Sequence, residues 1–164
     1  MRQGTLRVRV LVHHAVCRRL ERASGECVNS AEMGGILLGA YRGPHLEIIA
    51  VTEPALGDER QLYSFVRADR AHQISATRAW LASGNTQTYV GEWHTHPYGA
   101  MIPSSTDTQS WRHEVKRNQR SMAFALAVPG EWGLFLVRPR FFRPILTRLH
   151  LVESGDVGAV FGQK

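Results

Sequence analysis

Two histidines stand two positions apart, His94 and His96, in the segment GEWHTHPYGAMIPSSTD that runs from Gly91 to Asp107. On a β-strand that spacing puts both imidazoles on one face. Neutral imidazole is a good zinc ligand, and two of them supply half of a tetrahedral set. Pro97 ends the strand, and eleven residues after His96 the chain reaches Asp107, where a helix is expected to begin. A carboxylate there can be aimed back at the strand end. Two histidines and one carboxylate leave a fourth position open to water, which marks a catalytic zinc site and not a structural one. Taken alone, the H-x-H pattern fits surface histidines as well; Asp107 and the Pro97 turn narrow the choice without closing it.

The elements that must position these side chains follow from periodicity and breakers. Leu6, Val8, Val10 and Val12 alternate with Arg7, Arg9 and Leu11 as an opening strand. A helix is predicted from His14 to about Ser24, with Gly25 as its stop. Residues 32–52 read as a hairpin turning at Arg42-Gly43-Pro44, and Tyr63, Phe65 and Val66 as a short strand after a polar loop over 57–61. A second helix is predicted from Ala68 to about Ser83, a strand over Thr88–His94, and a third helix from Asp107 to about Gln119. Met122–Val128 and Trp132–Val137 form a second hairpin, and a last strand falls near Ile145–Val152. Helices and strands alternate without a regular βαβ repeat. The expected class is therefore α+β (mixed α/β), a largely antiparallel β-sheet flanked by helices.

Composition bounds the rest. The 164 residues are 43% hydrophobic and 21% charged. That length suits one domain, so residues 1–164 are read as a single unit, and a chain of this size hides about 70% of its unfolded surface without help from a metal or disulfide. No apolar run approaches the ~18 residues of a membrane span. Arg7 and Arg9 interrupt the early apolar stretch that a signal peptide would need. A soluble, cytoplasmic protein is expected. Cys17 and Cys27 are read as free thiols, in no metal-binding spacing. The net charge is +6, and the segment RPRFFRPILTRLH, Arg138 to His150, carries four arginines and no acid. Such a balance suits an acidic partner or nucleic acid, but no nucleic-acid recognition motif accompanies it and a solvated basic surface is the favoured reading.

His94-Thr95-His96-Pro97, then Ser104 after seven residues and Asp107 after two more, match the H-x-H-x7-S-x2-D signature. This pattern resembles the JAB/MPN family of zinc isopeptidases, also called JAMM proteases. That family carries a glutamate upstream, beside a glycine-containing strand, and here Glu32-Met33-Gly34-Gly35-Ile36-Leu37-Leu38-Gly39 stands in that place. The resemblance spans about residues 5–138 and leaves the tail 139–164 unassigned. It implies a JAB/MPN-like, cytidine-deaminase-like domain that binds Zn2+ through His94, His96 and Asp107. It also implies Glu32 as the general base that deprotonates water and later protonates the leaving amine, and Ser104 as the hydroxyl that meets the oxyanion.

Other residues near the motif are weighed beside these. Glu92 shares the strand face of His94 and His96, so it is either a group orienting a ligand, a rival base or a plain polar strand residue. Trp93 faces the other way and is expected in the core; Trp111 and Trp132 could help hold an extended substrate strand, but core packing is the favoured reading for both. Ser105 is one residue off the spacing and is read as a loop serine. His13, His14, His45, His72, His113 and His150 have no partner spacing and are read as surface or core histidines.

The chain is too compact for all the insertions by which eukaryotic relatives grip ubiquitin. It also has Tyr98-Gly99 where DNA-repair-associated relatives have a serine-glycine pair. Its wording is more similar to stand-alone bacterial members, including deconjugating proteases of anti-phage operons that signal through cyclic oligonucleotides. The resemblance then implies a partner, the C-terminal tail of a conjugated protein such as a cyclic-nucleotide synthase modified by a ubiquitin-transfer-like enzyme. Trimming of sulfur-carrier or β-grasp precursors needs the same centre and remains an alternative. A metal-free MPN scaffold and a basic nucleic-acid binder are the non-enzymatic alternatives.

Overall fold

The computed structural model describes residues 7–164. Its first third comprises β1 (Arg9–His13), α1 (His14–Glu26), β2 (Gly34–Arg42) and β3 (His45–Val51). A two-stranded ribbon follows, β4 (Glu59–Arg60) and β5 (Phe65–Val66), then α2 (Ala71–Ala82), β6 (Thr88–Thr95) and α3 (Ser105–Asn118). The chain ends with β7 (Met122–Val128), β8 (Glu131–Arg138), β9 (Ile145–Ser154) and β10 (Gly158–Gly162). Eight strands close into a barrel in the order β1-β10-β9-β8-β7-β6-β2-β3. Within it only the β1–β3 and β6–β7 pairs are parallel, so the sheet is largely antiparallel, as expected of an α+β chain.

Strand β7 explains how two cores share one sheet. Its sequence MAFALAV is apolar at every position and buried on both faces, the mark of a strand covered from both sides. Ala123, Ala125 and Ala127 face the cluster that holds Val16, Leu20 and Ala23 of α1. Met122, Phe124, Leu126 and Val128 face the cluster of Trp111 and Val115 from α3. The small alanine side chains let α1 come close, while the large ones on the other face fill the space under α3.

Several boundaries differ from expectation for local reasons. The opening strand is observed from Arg9, and Leu6 lies outside the described residues. Helix α1 runs through Gly25 to Glu26, because Gly25 does not adopt the positive φ of a helix stop and the ladder continues to Cys27 N–H, which donates to Ala23 O at 3.0 Å. Helix α2 starts at Ala71, three residues later than predicted. Helix α3 starts at Ser105, with Ser104 as its cap, so Asp107 is the third helical residue and not the first. The polar pair Glu59–Arg60 forms a strand with Phe65–Val66. Strand β10, which seals the barrel against β1, falls in the tail left unassigned. Both cysteines are buried and free. No helix among the described residues is long and apolar enough to cross a membrane.

Candidate metal centre

The centre forms where β6 ends beside the start of α3. Pairing with β2 on one side (Gly34 opposite His94) and β7 on the other (Leu126 opposite His94) fixes the His94 backbone. His96, just past the strand, is held by its N–H donating to Ala127 O at 2.8 Å. Strand alternation puts the intervening Thr95 on the opposite, fully buried side. The two imidazoles converge, with Nε2 to Nε2 at 3.1 Å.

Asp107 is delivered by helix capping. Ser104 Oγ accepts from the Asp107 N–H at 3.1 Å, and the Ser104 N–H donates to Asp107 Oδ2 at 2.7 Å. This reciprocal box satisfies two of the donors a helix start leaves free. It leaves Asp107 Oδ1 at 3.1 Å from His94 Nε2 and Oδ2 at 3.2 Å from His96 Nε2. Burial works against the Asp107 charge, yet the contacts with His94 and His96 hold its carboxyl far below the usual carboxylate range. Burial likewise opposes a charge on His96, but its bond to Asp107 leaves the imidazole more basic than usual. Three donor atoms of two chemical kinds, drawn from two elements, thus meet at one point, an arrangement that can hold a metal ion.

Glu32 approaches the same point from the segment before β2. Its N–H donates to Gln61 O at 2.8 Å, and Arg60 Nε donates to its carbonyl at 3.0 Å. On the other side, Met33 N–H donates to Thr95 Oγ1 at 3.0 Å and Thr95 N–H to Met33 O at 2.8 Å. The backbone of Glu32 is thereby tied to both the ribbon and β6. Its side chain is buried, and burial pushes its carboxyl above the ordinary glutamate value, partly offset by His94 and His96.

Ser104 already uses one lone pair as the cap of α3. Its hydroxyl proton has no acceptor among the bonds it makes, so the group can cap the helix and still donate into the cleft it lines. Ser105 is an exposed first-turn residue.

Glu32, His94, His96 and Ser104 open onto a cleft of about 670 Å³. One wall is the ribbon segment, Leu62 to Arg67, and another is Trp111, whose ring meets that of His94 edge-on at 6.0 Å. The ribbon loop is pinned by a buried clasp. Asp58 accepts from Ala55 N–H at 2.8 Å, from Asp69 N–H at 3.0 Å and from His72 Nε2 at 2.9 Å. His72 Nδ1 then meets Thr52 Oγ1 at 2.6 Å, and Thr52 Oγ1 accepts from Ile36 N–H of β2. Nε2 of His72 thus faces the Asp58 carboxylate and Nδ1 the Thr52 hydroxyl, so both ring nitrogens are engaged. Of the two readings offered for it, surface or core, His72 is a core histidine, and it ties the cleft wall to the barrel.

Glu92 lines the cleft and is committed elsewhere. It pairs with Arg67 and accepts from Tyr89 O–H at 2.9 Å, and no bond joins it to His94 or His96. The glycines of β2 let neighbouring segments of the protein approach closely. A Cβ on Gly34 would lie 2.3 Å from Trp93 O, and one on Gly35 2.3 Å from Thr52 O. Trp93 and Trp111 are core residues, and Trp132 is half-buried against Phe161. Arg60, Thr95, Asp58 and Thr52 were not anticipated. Only Thr95 had a visible signal, since alternation in H-T-H turns it inward.

Residues 14–140 match a family profile described as prokaryotic homologs of the JAB domain. A protein of Vibrio cholerae serotype O1 named "CD-NTase/cGAS isopeptidase" is 33% identical over 145 residues, covering 88% of this chain and 89% of its own. A protein of the same name from Pseudomonas aeruginosa is 38% identical over 101 residues, 61% of this chain and 64% of its own. A third, from Escherichia coli, is 35% identical over 102 residues, 62% of this chain and 65% of its own. Among solved structures, protein DSY2949 from Desulfitobacterium hafniense shares the fold, with a TM-score of 0.63 at 15% identity over 90% of this chain and 94% of that one.

Proposed function

The chain belongs to the family of prokaryotic homologues of the JAB domain, and from that membership we propose that it is a zinc-dependent isopeptidase. Its substrate would be the amide or isopeptide bond that follows the C-terminus of a conjugated protein. The name shared by three relatives supports a CD-NTase as that protein, and with it a cytoplasmic role in anti-phage defence. The observation that carries the reading is the convergence of His94, His96 and Asp107 on one point of a cleft that also holds buried Glu32. Ligand atoms ~2.0–2.1 Å from a tetrahedral zinc lie about 3.3 Å apart, close to the 3.1–3.2 Å separations found here.

In this reading His94, His96 and Asp107 hold the ion. Zinc supplies two things when bound, polarisation of the scissile carbonyl and a water whose pKa falls toward ~7. Glu32 accepts the proton of the attacking water and returns it to the departing amine. Burial favours the protonated glutamic acid needed for the second half of that cycle. Ser104 donates its free hydroxyl proton to the carbonyl oxygen as charge builds there. The ribbon wall and Trp111 flank the extended tail, and residues 1–164 act as one unit, which the seal between β1 and β10 supports.

The test is incubation of the purified chain with a CD-NTase conjugated through its C-terminus to a carrier lysine. Release of both proteins intact, lost on adding a chelator and regained with zinc, is the expected result. Cleavage inside either protein, or none under any metal, would overturn the reading.

A further inference from the structure

The loop between β8 and β9 presents Phe141 and Phe142 at 95% and 88% exposure, next to each other. Between Glu131 and Glu153 the sequence has four arginines, Arg138, Arg140, Arg143 and Arg148, and no acid. Among the described residues no ion pair engages any of the four. The loop has a fixed seat. Pro144 is buried, and Arg112 Nε of α3 donates to its carbonyl at 3.2 Å. Arg112 stands five residues after Asp107 on the same helix, which is ~7.5 Å along the axis.

We propose that this loop is an exosite for the folded body of the substrate conjugate. The two phenylalanines would enter an apolar recess on an acidic protein face, with Arg140 and Arg143 pairing to carboxylates around it. The inference rests on the isopeptidase reading for the identity of the partner. Adjacent exposed aromatics flanked by arginine are residue types enriched at protein interfaces, and contiguous exposed apolar surface marks an interaction site where scattered residues do not. The uncompensated charge selects an acidic face. A second copy of the chain is disfavoured, because a twofold contact would set arginines against arginines. Nucleic acid is disfavoured by ring geometry: the two rings are perpendicular, at 89° and 4.9 Å, whereas successive bases stack on parallel faces.

Two probes separate the exosite from the cleft. One is a CD-NTase joined through its C-terminus to a carrier lysine; the other is a short peptide of the same C-terminal residues bearing an isopeptide-linked fluorophore. The paired substitutions F141A with F142A, and R140E with R143E, fall on exposed side chains remote from the core. Each pair should lower kcat/KM on the protein conjugate tenfold or more, through KM, and leave the peptide within twofold. Raising salt from about 50 to 300 mM should weaken only the conjugate reaction. Equal rates of wild type and variants on the conjugate, or equal losses on both probes, would overturn the exosite. If the wild type cuts neither probe, the isopeptidase reading fails separately, and the exosite is judged by binding of the intact conjugate in biolayer interferometry. There, tenfold weaker binding by both variants supports it, and unchanged binding overturns it. Loss of binding to a thymidine 20-mer with conjugate binding intact would also overturn it.

Discussion

Ser104 and Asp107 bind each other twice, through Asp107 N–H to Ser104 Oγ at 3.1 Å and Ser104 N–H to Asp107 Oδ2 at 2.7 Å. The two-residue gap in the S-x2-D half of the motif is therefore helix-capping geometry. A cap and its third helical residue must be three apart to bond reciprocally, and the same contact aims the carboxylate at both histidines.

Ser104→Ala is expected to do two separable kinds of damage. Loss of an N-cap costs about 1 kcal/mol of stability, read in a urea titration, and loss of an oxyanion donor costs about 100–1000-fold in kcat. Ser104→Asp restores the cap but has no proton to give. It should recover the urea midpoint and none of the turnover; recovery of turnover would remove Ser104 from the chemistry.

Glu32→Gln should retain metal and fold and lose about 100–10,000-fold in kcat. Glu92→Gln, which disturbs only the Arg67 and Tyr89 contacts, should keep at least about a tenth of the wild-type rate, a smaller loss than the removal of a general base. The opposite ranking would make Glu92 the base. Burial raises the Glu32 carboxyl above its unfolded value, so the native chain holds more protons than the unfolded one once pH exceeds ~4.3. Stability then falls as pH climbs toward the raised value, and the penalty is complete above it. In the presence of chelator, Glu32→Gln should accordingly melt higher than wild type at pH 7.5 and the two should agree near pH 4.

Removing the metal should abolish hydrolysis and leave far-UV circular dichroism nearly unchanged, because the two core clusters exist without it. His94→Ala should lose the metal and His72→Ala should not, as measured by elemental analysis. His96 binds its proton more tightly than an ordinary imidazole because of Asp107. Protons therefore compete for this ligand from somewhat above pH ~6.5 downward, and metal affinity should fall with pH through that range.

Asp58→Ala should cost about 1–3 kcal/mol, the usual penalty for leaving a buried hydrogen-bonding group without its partner, since the Asp58 side chain is fully buried against His72. Under conditions where the variant stays folded, zinc content should be normal and KM for a peptide substrate should rise, because the ribbon wall of the cleft loses its anchor. A variant with normal KM would show that the clasp supports the fold alone.

The parts of this protein that could be read in advance are those set by short-range geometry. His94 and His96 share a face because strands alternate, and Ser104 and Asp107 meet because helices start in a particular way. Glu32 was identified only through family resemblance, since its approach depends on β2 pairing with β6 some sixty residues on. Strand β10 escaped notice because GAVFG has glycine at both ends and becomes a strand through β1, where Gly162 lies opposite Arg9. Asp58, Thr52 and His72 are each unremarkable in sequence, and their clasp exists only after a loop has folded back on the barrel.

The seal between β1 and β10 has a consequence for the birth of the protein. Gly162 follows Asp107 by 55 positions, which at ~5–20 residues per second is roughly 3–11 s of synthesis. Every proposed ligand is therefore translated before the strand that closes the barrel against β1. The last strand is also where inheritance can strike from afar. A side chain at Gly158 would bring a Cβ within 2.0 Å of Val12 O. In a genetic screen such a lesion would register as lost hydrolysis, although the residue touches no part of the cleft.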